Sequence, residues 1–137
     1  MRKLIWLAAL ALMLAPVPSA QADLVGQNDQ EVQKVAEAIL DSVLAGFNEG
    51  NYEKYAQYFD DTLKESISPK KFQQTRSNIL NTMGRYQSRT YLGFLNQNRM
   101  TVVLWKGVFD KSEGDVLIKL VLSKRQNRTV VTGLWFQ

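Results

Sequence analysis

The sequence predicts an α+β domain: three N-terminal helices packed on one face of a four-stranded antiparallel meander. Three observations predict it. Apolar residues recur at helical spacing as far as Gly84 and at alternate positions after it. Short polar segments separate the alternating stretches, which makes each connection a hairpin. Helices precede strands, so the two classes segregate and the helices cover one face of the sheet. The bulk composition agrees: 137 residues, 45% hydrophobic and 22% charged, is one folded domain with room for a modest core.

The first segment reads as an address. Met1-Arg2-Lys3 is basic, residues 4–14 are apolar without a break, and Pro16, Pro18 and Ala20-Gln21-Ala22 follow. This is the layout of a secretory signal peptide cleaved after Ala22. The apolar run is too short for a spanning helix, which takes about 20 residues. No cysteine is available for lipid attachment. The expected mature chain starts at Asp23, carries a leader over residues 23–28 and one domain over 29–137, and is periplasmic or secreted from a bacterium.

The helices follow. Asn28 caps the first, over residues 28–48, and Glu31 completes a capping box. Val32, Val35, Ile39, Val43 and Phe47 form its buried stripe, and Gly50 stops it. Asn51 caps a second helix over 52–59, with Tyr52, Tyr55 and Phe59 on one face. Asp60-Asp61 ends it. Ser68 caps the third, Pro69 occupies its first turn, Ile67 and Phe72 can staple it, and Gly84 terminates it.

Strands are expected over 85–95, 100–109, 116–124 and 129–136. With loops at 96–99, 110–115 and 125–128, one sheet face carries Leu92, Phe94, Val103, Trp105, Phe109, Val116, Ile118, Leu120, Leu122, Val131 and Trp135. That face is almost wholly apolar and is the expected core face. The other carries Arg89 and Tyr91, then Leu104, Lys106 and Val108, then Leu117, Lys119 and Val121, then Leu134 and Phe136. This register sets Arg89, Lys106 and Lys119 side by side. The row reads either as three side chains reaching water over their own apolar stems or as a binding site for an anion or an acidic partner. A one-residue slip in any hairpin would exchange the faces of a strand.

Composition removes whole classes of chemistry. There is no histidine and no cysteine, hence no disulfide, no Cys or His metal site and no histidine-based triad. Acid–base work would fall to Asp, Glu, Tyr or Lys. No phosphate loop, nucleophile elbow or metal-ligand spacing occurs, so no cofactor and no metal is implied. Asp60-Asp61 is the only adjacent carboxylate pair, and such a pair at a helix end ordinarily points apart into solvent. Asn127-Arg128-Thr129 matches a glycosylation triplet, which a bacterial export signal argues against. Charge is lopsided. Residues 23–65 hold ten acids and three bases, whereas residues 66–137 hold three acids and twelve bases. The bases are interleaved with apolar residues, unlike the clusters of nucleic-acid binders. Two halves of one fold that attract each other account for the asymmetry equally well.

Tyr52, Tyr55, Tyr58 and Phe59 are aromatic neighbours. They read as core packing, or as a ligand pocket whose walls are Tyr55 and Tyr58 with Trp105 as the floor. The segments Ala36-Glu37-Ala38-Ile39-Leu40, Phe47-Asn48-Glu49-Gly50-Asn51-Tyr52 and Tyr58-Phe59-Asp60-Asp61 resemble the helical half of small exported bacterial domains of unknown function. Those domains belong to the nuclear transport factor 2-like, or cystatin-like, superfamily. Leu63-Lys64, Ser68-Pro69 and Met83-Gly84 continue the resemblance, which covers residues 31–136. It implies helices wrapped on a curved antiparallel sheet with a pocket in the cone. The superfamily includes isomerases, dehydratases and many non-catalytic binders, so the fold alone does not choose among them.

The reading is therefore a non-catalytic exported binding or protein-interaction module, whose partner is an envelope protein or a small hydrophobic ligand. The rival is a small pocket enzyme, isomerase- or dehydratase-like, using Asp and Tyr on a hydrophobic substrate. A homodimer through the outer sheet face is the remaining expectation. Nucleic acid and a membrane anchor after cleavage are not expected.

Overall fold

A computed structural model describes residues 24–137. The expected signal peptide and its cleavage before Asp23 lie outside the described residues. The leader residues Val25 and Gly26 are tied to the sheet: Val25 N–H donates to Thr101 Oγ1 (3.1 Å) and Asn96 Nδ2 donates to the Gly26 carbonyl (3.0 Å).

Helix α1 spans Asp29–Glu49. Asn28 caps it by accepting from the Glu31 N–H (2.9 Å). The returning bond comes from one residue earlier than a capping box requires, because Glu31 Oε2 accepts from the N–H of Gln27 (2.8 Å). Val32, Ala36, Ile39, Leu40, Val43 and Phe47 are its buried stripe. Gly50 ends it at φ 70°, where a side chain would be strained. Gly46 lets the following turn approach closely, since a Cβ there would lie 2.3 Å from the Tyr55 nitrogen.

The second helix is shorter than the aromatic spacing predicts. Helix α2 is one turn, Tyr52–Tyr55, capped by Asn51. Phe59 leaves the helical path and makes a parallel bridge with Val131, with Asp60 N–H donating to the Val131 carbonyl (3.0 Å). Asp60 then caps a further helix, α3 at Asp61–Ser66, by accepting from the Leu63 N–H (2.8 Å). Among the described residues four helical segments thus replace the expected three. Helix α4 spans Pro69–Thr82, and the Ser68 hydroxyl accepts from the Lys71 N–H as its cap. Among the described residues no helix is long and apolar enough to cross a membrane.

Strands β1 (Tyr86–Gln97), β2 (Met100–Phe109), β3 (Val116–Arg125) and β4 (Arg128–Phe136) form one antiparallel sheet in the order β1-β2-β3-β4. The helices pack on one face of this curved sheet, so the α+β meander is as the sequence predicts. Two hairpins are tighter than expected. Asn98-Arg99 and Gln126-Asn127 all have φ between 50° and 63°, the paired left-handed residues of type I′ turns. The strands consequently run on to close at Gln97↔Met100 and Arg125↔Arg128.

Register departs from the expected faces at three bulges. In β1, Tyr91 opposes Trp105 while Gly93 opposes Leu104, so Leu92 is an extra residue. In β4, Gly133 opposes Val121 while Val131 opposes Leu122, so Thr132 is extra. A third irregularity follows Tyr86. Each bulge exchanges the faces of the residues beyond it. Arg89, Tyr91, Leu134 and Phe136 therefore sit on the helix side, not the outer side. Leu92 and Trp135 are exposed (56% and 44%), not core. The centre of the sheet is as expected: Val103, Trp105, Phe109, Val116, Ile118, Leu120, Leu122 and Val131 are buried against α1.

Candidate functional site

The space between helices and sheet is filled by side chains. Phe47 makes edge contacts with Phe109 and Phe136, with ring centroids 6.3 and 5.7 Å apart. Tyr55 lies between Phe59 and Phe72, at 5.1 and 4.4 Å. Trp105 is fully buried. Tyr55 and Trp105 are thus core side chains. Burial, and secondarily the nearby Tyr52, push the Tyr55 hydroxyl well above its usual titration range.

The motif Asn48-Glu49-Gly50-Asn51 does structural work. Asn48 pairs its side-chain amide with the backbone of Tyr86, donating to the carbonyl (3.1 Å) and accepting from the N–H (3.2 Å). It thereby extends the edge of β1 onto α1. Arg76 of α4 donates to the carbonyls of Phe47 and Asn48, capping the end of α1 with a positive charge.

A polar cluster joins α1 to the sheet. Trp105 Nε1 donates to Glu37 Oε1 (2.7 Å). Arg89 donates from Nε (2.8 Å) and an Nη (2.5 Å) to Glu37 Oε2, and from the same Nη to Asp41 (2.6 Å). Its other Nη donates to the Tyr86 hydroxyl (3.0 Å). Burial by itself would lower the Arg89 guanidinium; its bonds to Asp41, Glu37 and Tyr86 outweigh that and hold it above its usual range. Tyr91 stacks edge-on to Trp105 and donates its hydroxyl to Asp29 (2.7 Å). Desolvation, then the Asp29 bond, raise the Tyr91 hydroxyl. All three Arg89 nitrogens and the Trp105 nitrogen have acceptors, so the cluster clamps α1 on the sheet.

Arg89 therefore does not stand beside Lys106 and Lys119. It belongs to the opposite face and is neutralised by the acidic half of the chain. The clue in the sequence was Glu37 and Asp41 at i, i+4, two acids on one flank of α1 aimed at the basic half. Arg125 and Asp60 make a second bridge between the halves (2.8 Å). That bridge and the N-cap give Asp60 its role, while Asp61 points to solvent. Among the described residues no cluster of three or more acidic groups could hold a metal ion.

Lys106 and Lys119 remain on the outer face, diagonal to each other across β2 and β3. Lys119 lies 4.8 Å from the centroid of the Trp135 ring. That ring is seated over Gly133, where any Cβ would come within 2.4 Å of it. Around this pair the face is apolar: Leu92, Leu95 and Val108 are 56%, 48% and 46% exposed. A shallow cleft of about 290 Å³ runs among Leu92, Lys106 and Leu117, with Asp115 at its rim. Tyr58 is half-buried and lines a separate cleft beside α1.

Residues 41–130 match the family described as Protein of unknown function (DUF3887). That match covers more than half of the chain, and the chain belongs to this family. No curated protein matches it. A solved structure to which it is similar is the "Structure of Bdellovibrio bacteriovorus Bd1075", with a TM-score of 0.49 and 14% identity. The alignment covers 79% of this chain and 40% of that one, so the chain spans less than half of that structure's length.

Proposed function

We propose that this member of the DUF3887 family is a non-catalytic, exported protein-interaction module that docks a partner on the outer face of its sheet. The observation that carries the reading is the exposure of Leu92, Leu95, Val108 and Trp135 together on the face turned away from the helices. Several large exposed apolar side chains on one face of a small domain mark a contact site. A fixed aromatic ring beside a cation is a suitable anchor for it. The filled interior supports the same reading, because the place where a pocket enzyme would hold its substrate is occupied by Trp105, Phe47 and Phe109. Membership of the nuclear transport factor 2-like superfamily is part of the proposal; its support is the element order and the wrapping of α1 on a meander.

Charge selects the partner. Lys106 and Lys119 are the charged side chains of the face, with Asp115 at its edge. A symmetric dimer through this face would bring four lysines together around a desolvated centre, which is unfavourable. A partner with an apolar centre and acidic rim satisfies both features. The test is sedimentation of the chain from Asp23, followed by crosslinked capture from the envelope of the source bacterium. Wild type is compared with Leu92→Asp and with Lys106→Glu/Lys119→Glu, using circular dichroism as the folding control. The expected result is a monomer whose captured partner is lost in both variants. A partner retained by both folded variants, or a concentration-dependent dimer disrupted by Leu92→Asp, overturns the hetero-partner reading.

A further inference from the structure

We infer that the cleft between α1 and the start of β4 is a binding site for a small carboxylate with an apolar tail. The inference stands apart from the sheet-face reading and shares no residue with it. The cleft has a volume of about 450 Å³, within the usual range of small-molecule sites. Val35, Ala38 and Ile39 of α1 form its apolar wall, and Tyr58 closes the other side. Arg128 and Thr129 stand at its mouth, with Gln57 beside them.

Both walls are fixed before any ligand arrives. The Ser42 hydroxyl lies 3.0 Å from the Lys54 carbonyl and from Gln57 Oε1, which ties α1 to the segment carrying Gln57 and Tyr58. Val131 N–H donates to the Tyr58 carbonyl (2.6 Å), which ties that segment to β4. A preformed cleft spares the ligand the entropy of ordering loops.

The polar lining selects an anion. Among the residues lining the cleft none is acidic and one, Arg128, is cationic. The neighbouring Arg125 is neutralised by Asp60. The Arg128 side chain has no ion pair or hydrogen bond among the described residues. The Gln57 side-chain amide reaches the same mouth and carries N–H donors of its own. The planar guanidinium of Arg128 suits a carboxylate, which takes two parallel N–H donors from it. The wall of Val35, Ala38 and Ile39 suits a hydrocarbon chain of several carbons. The adjoining cleft is larger, about 510 Å³, and shares Arg128, but its lining mixes the acids Asp60 and Asp61 with Lys64 and Arg125, so it does not select an anion.

Two sources carry this chemistry, a free aliphatic acid and the C-terminus of an apolar peptide. The experiment is a titration of the ¹⁵N-labelled chain with octanoate, and in parallel with acetyl-Ala-Ala-Leu, followed by amide chemical shifts. The expected result is saturable binding of at least one of the two, with shifts centred on Val35, Ala38, Tyr58 and Thr129. The tighter of the two identifies the source. Arg128→Gln should weaken it about tenfold or more, and Ala38→Trp, which fills the cleft from an exposed helix position, should abolish it. Octanol and octylamine are the controls for charge. The inference is overturned if neither carboxylate saturates, if folded Arg128→Gln binds as wild type does, or if octylamine binds as well as octanoate.

Discussion

Replacing Arg89 with Met should destabilise the domain by about 2–3 kcal/mol, and the reason can be worked from the contacts. Met keeps the aliphatic stem, so the loss is electrostatic and not a packing defect. An exposed ion pair contributes roughly 0.2–1 kcal/mol, whereas deleting one partner of a buried pair costs roughly 3–5 kcal/mol. The pair here lies between these limits. The Arg89 side chain is 15% exposed and Glu37 is 33% exposed, and two Arg89 nitrogens converge on one Glu37 oxygen. After the substitution Glu37 keeps only the Trp105 bond, and the Tyr86 hydroxyl loses its donor. Equilibrium urea unfolding followed by circular dichroism is the assay. At an m-value of roughly 1.5 kcal/mol/M the midpoint should fall by about 1.3–2 M. Adding Glu37→Gln to Arg89→Met should restore part of the loss, because the uncompensated charge is then gone. A loss below about 0.5 kcal/mol, or one that disappears in 1 M salt, would refute the reasoning and class the pair with ordinary surface bridges.

Two further outcomes test the fold. Leu120→Ala should cost roughly 2–5 kcal/mol, since Leu120 is fully buried under α1, and Leu104→Ala on the outer face should cost less; the reverse order in urea melts would contradict the register of β2 and β3. The raised titration of Tyr55 makes stability fall at high pH: the unfolded chain releases this proton near pH 10.0 while the folded one retains it. The stabilisation is complete below pH 10 and declines above it by up to about 1.4 kcal/mol per pH unit. Urea melts at pH 9, 10 and 11 should show a steeper decline for wild type than for Tyr55→Phe, and parallel curves would count against the assignment.

The sequence is legible wherever one residue determines a local geometry. Asn28, Asn51 and Ser68 cap the helices assigned to them, because a cap needs only its own side chain and the amide three residues on. The four strands are legible from the switch in apolar period, though the two type I′ turns carry their ends one or two residues further. The faces of β1 and β4 are not, because Leu92 and Thr132 carry no local mark of a bulge. Such a residue is ejected by the sum of cross-strand packing, in this case Tyr91 against Trp105 and Phe136 against Phe47. Helix α3 escapes for a related reason. The Tyr52, Tyr55, Phe59 spacing argues one helix, but Phe59 gains more from Tyr55 and the edge of β4 than from a continued helical turn. The bulges of β1 reach into the site, because they set Arg89 on the helix side and leave Lys106 and Lys119 as a pair.

That displacement also decides what the lopsided charge does. Arg89 and Arg125 reach the acidic half and bind Glu37, Asp41 and Asp60, so part of the asymmetry is internal cohesion. The remainder is directional: acids stay on the helical side and Lys106 and Lys119 on the sheet side. Apart from Asp115 at the rim of the face, a second copy would present acids to the sheet through its helices, and a sheet-to-helix contact is head-to-tail. Repeated, such a contact does not close unless its rotation happens to form a ring, so it would extend into filaments. An acidic partner seated on Leu92, Leu95 and Trp135 covers the apolar surface and neutralises the lysines while ending the chain of contacts at one. On the proposed reading the partner and self-association compete for the same face. Lys106→Glu/Lys119→Glu, which repels both kinds of acidic surface, therefore separates them from Leu92→Asp only when sedimentation and capture are measured together: loss of the captured partner without any change in mass is the signature of the hetero-complex.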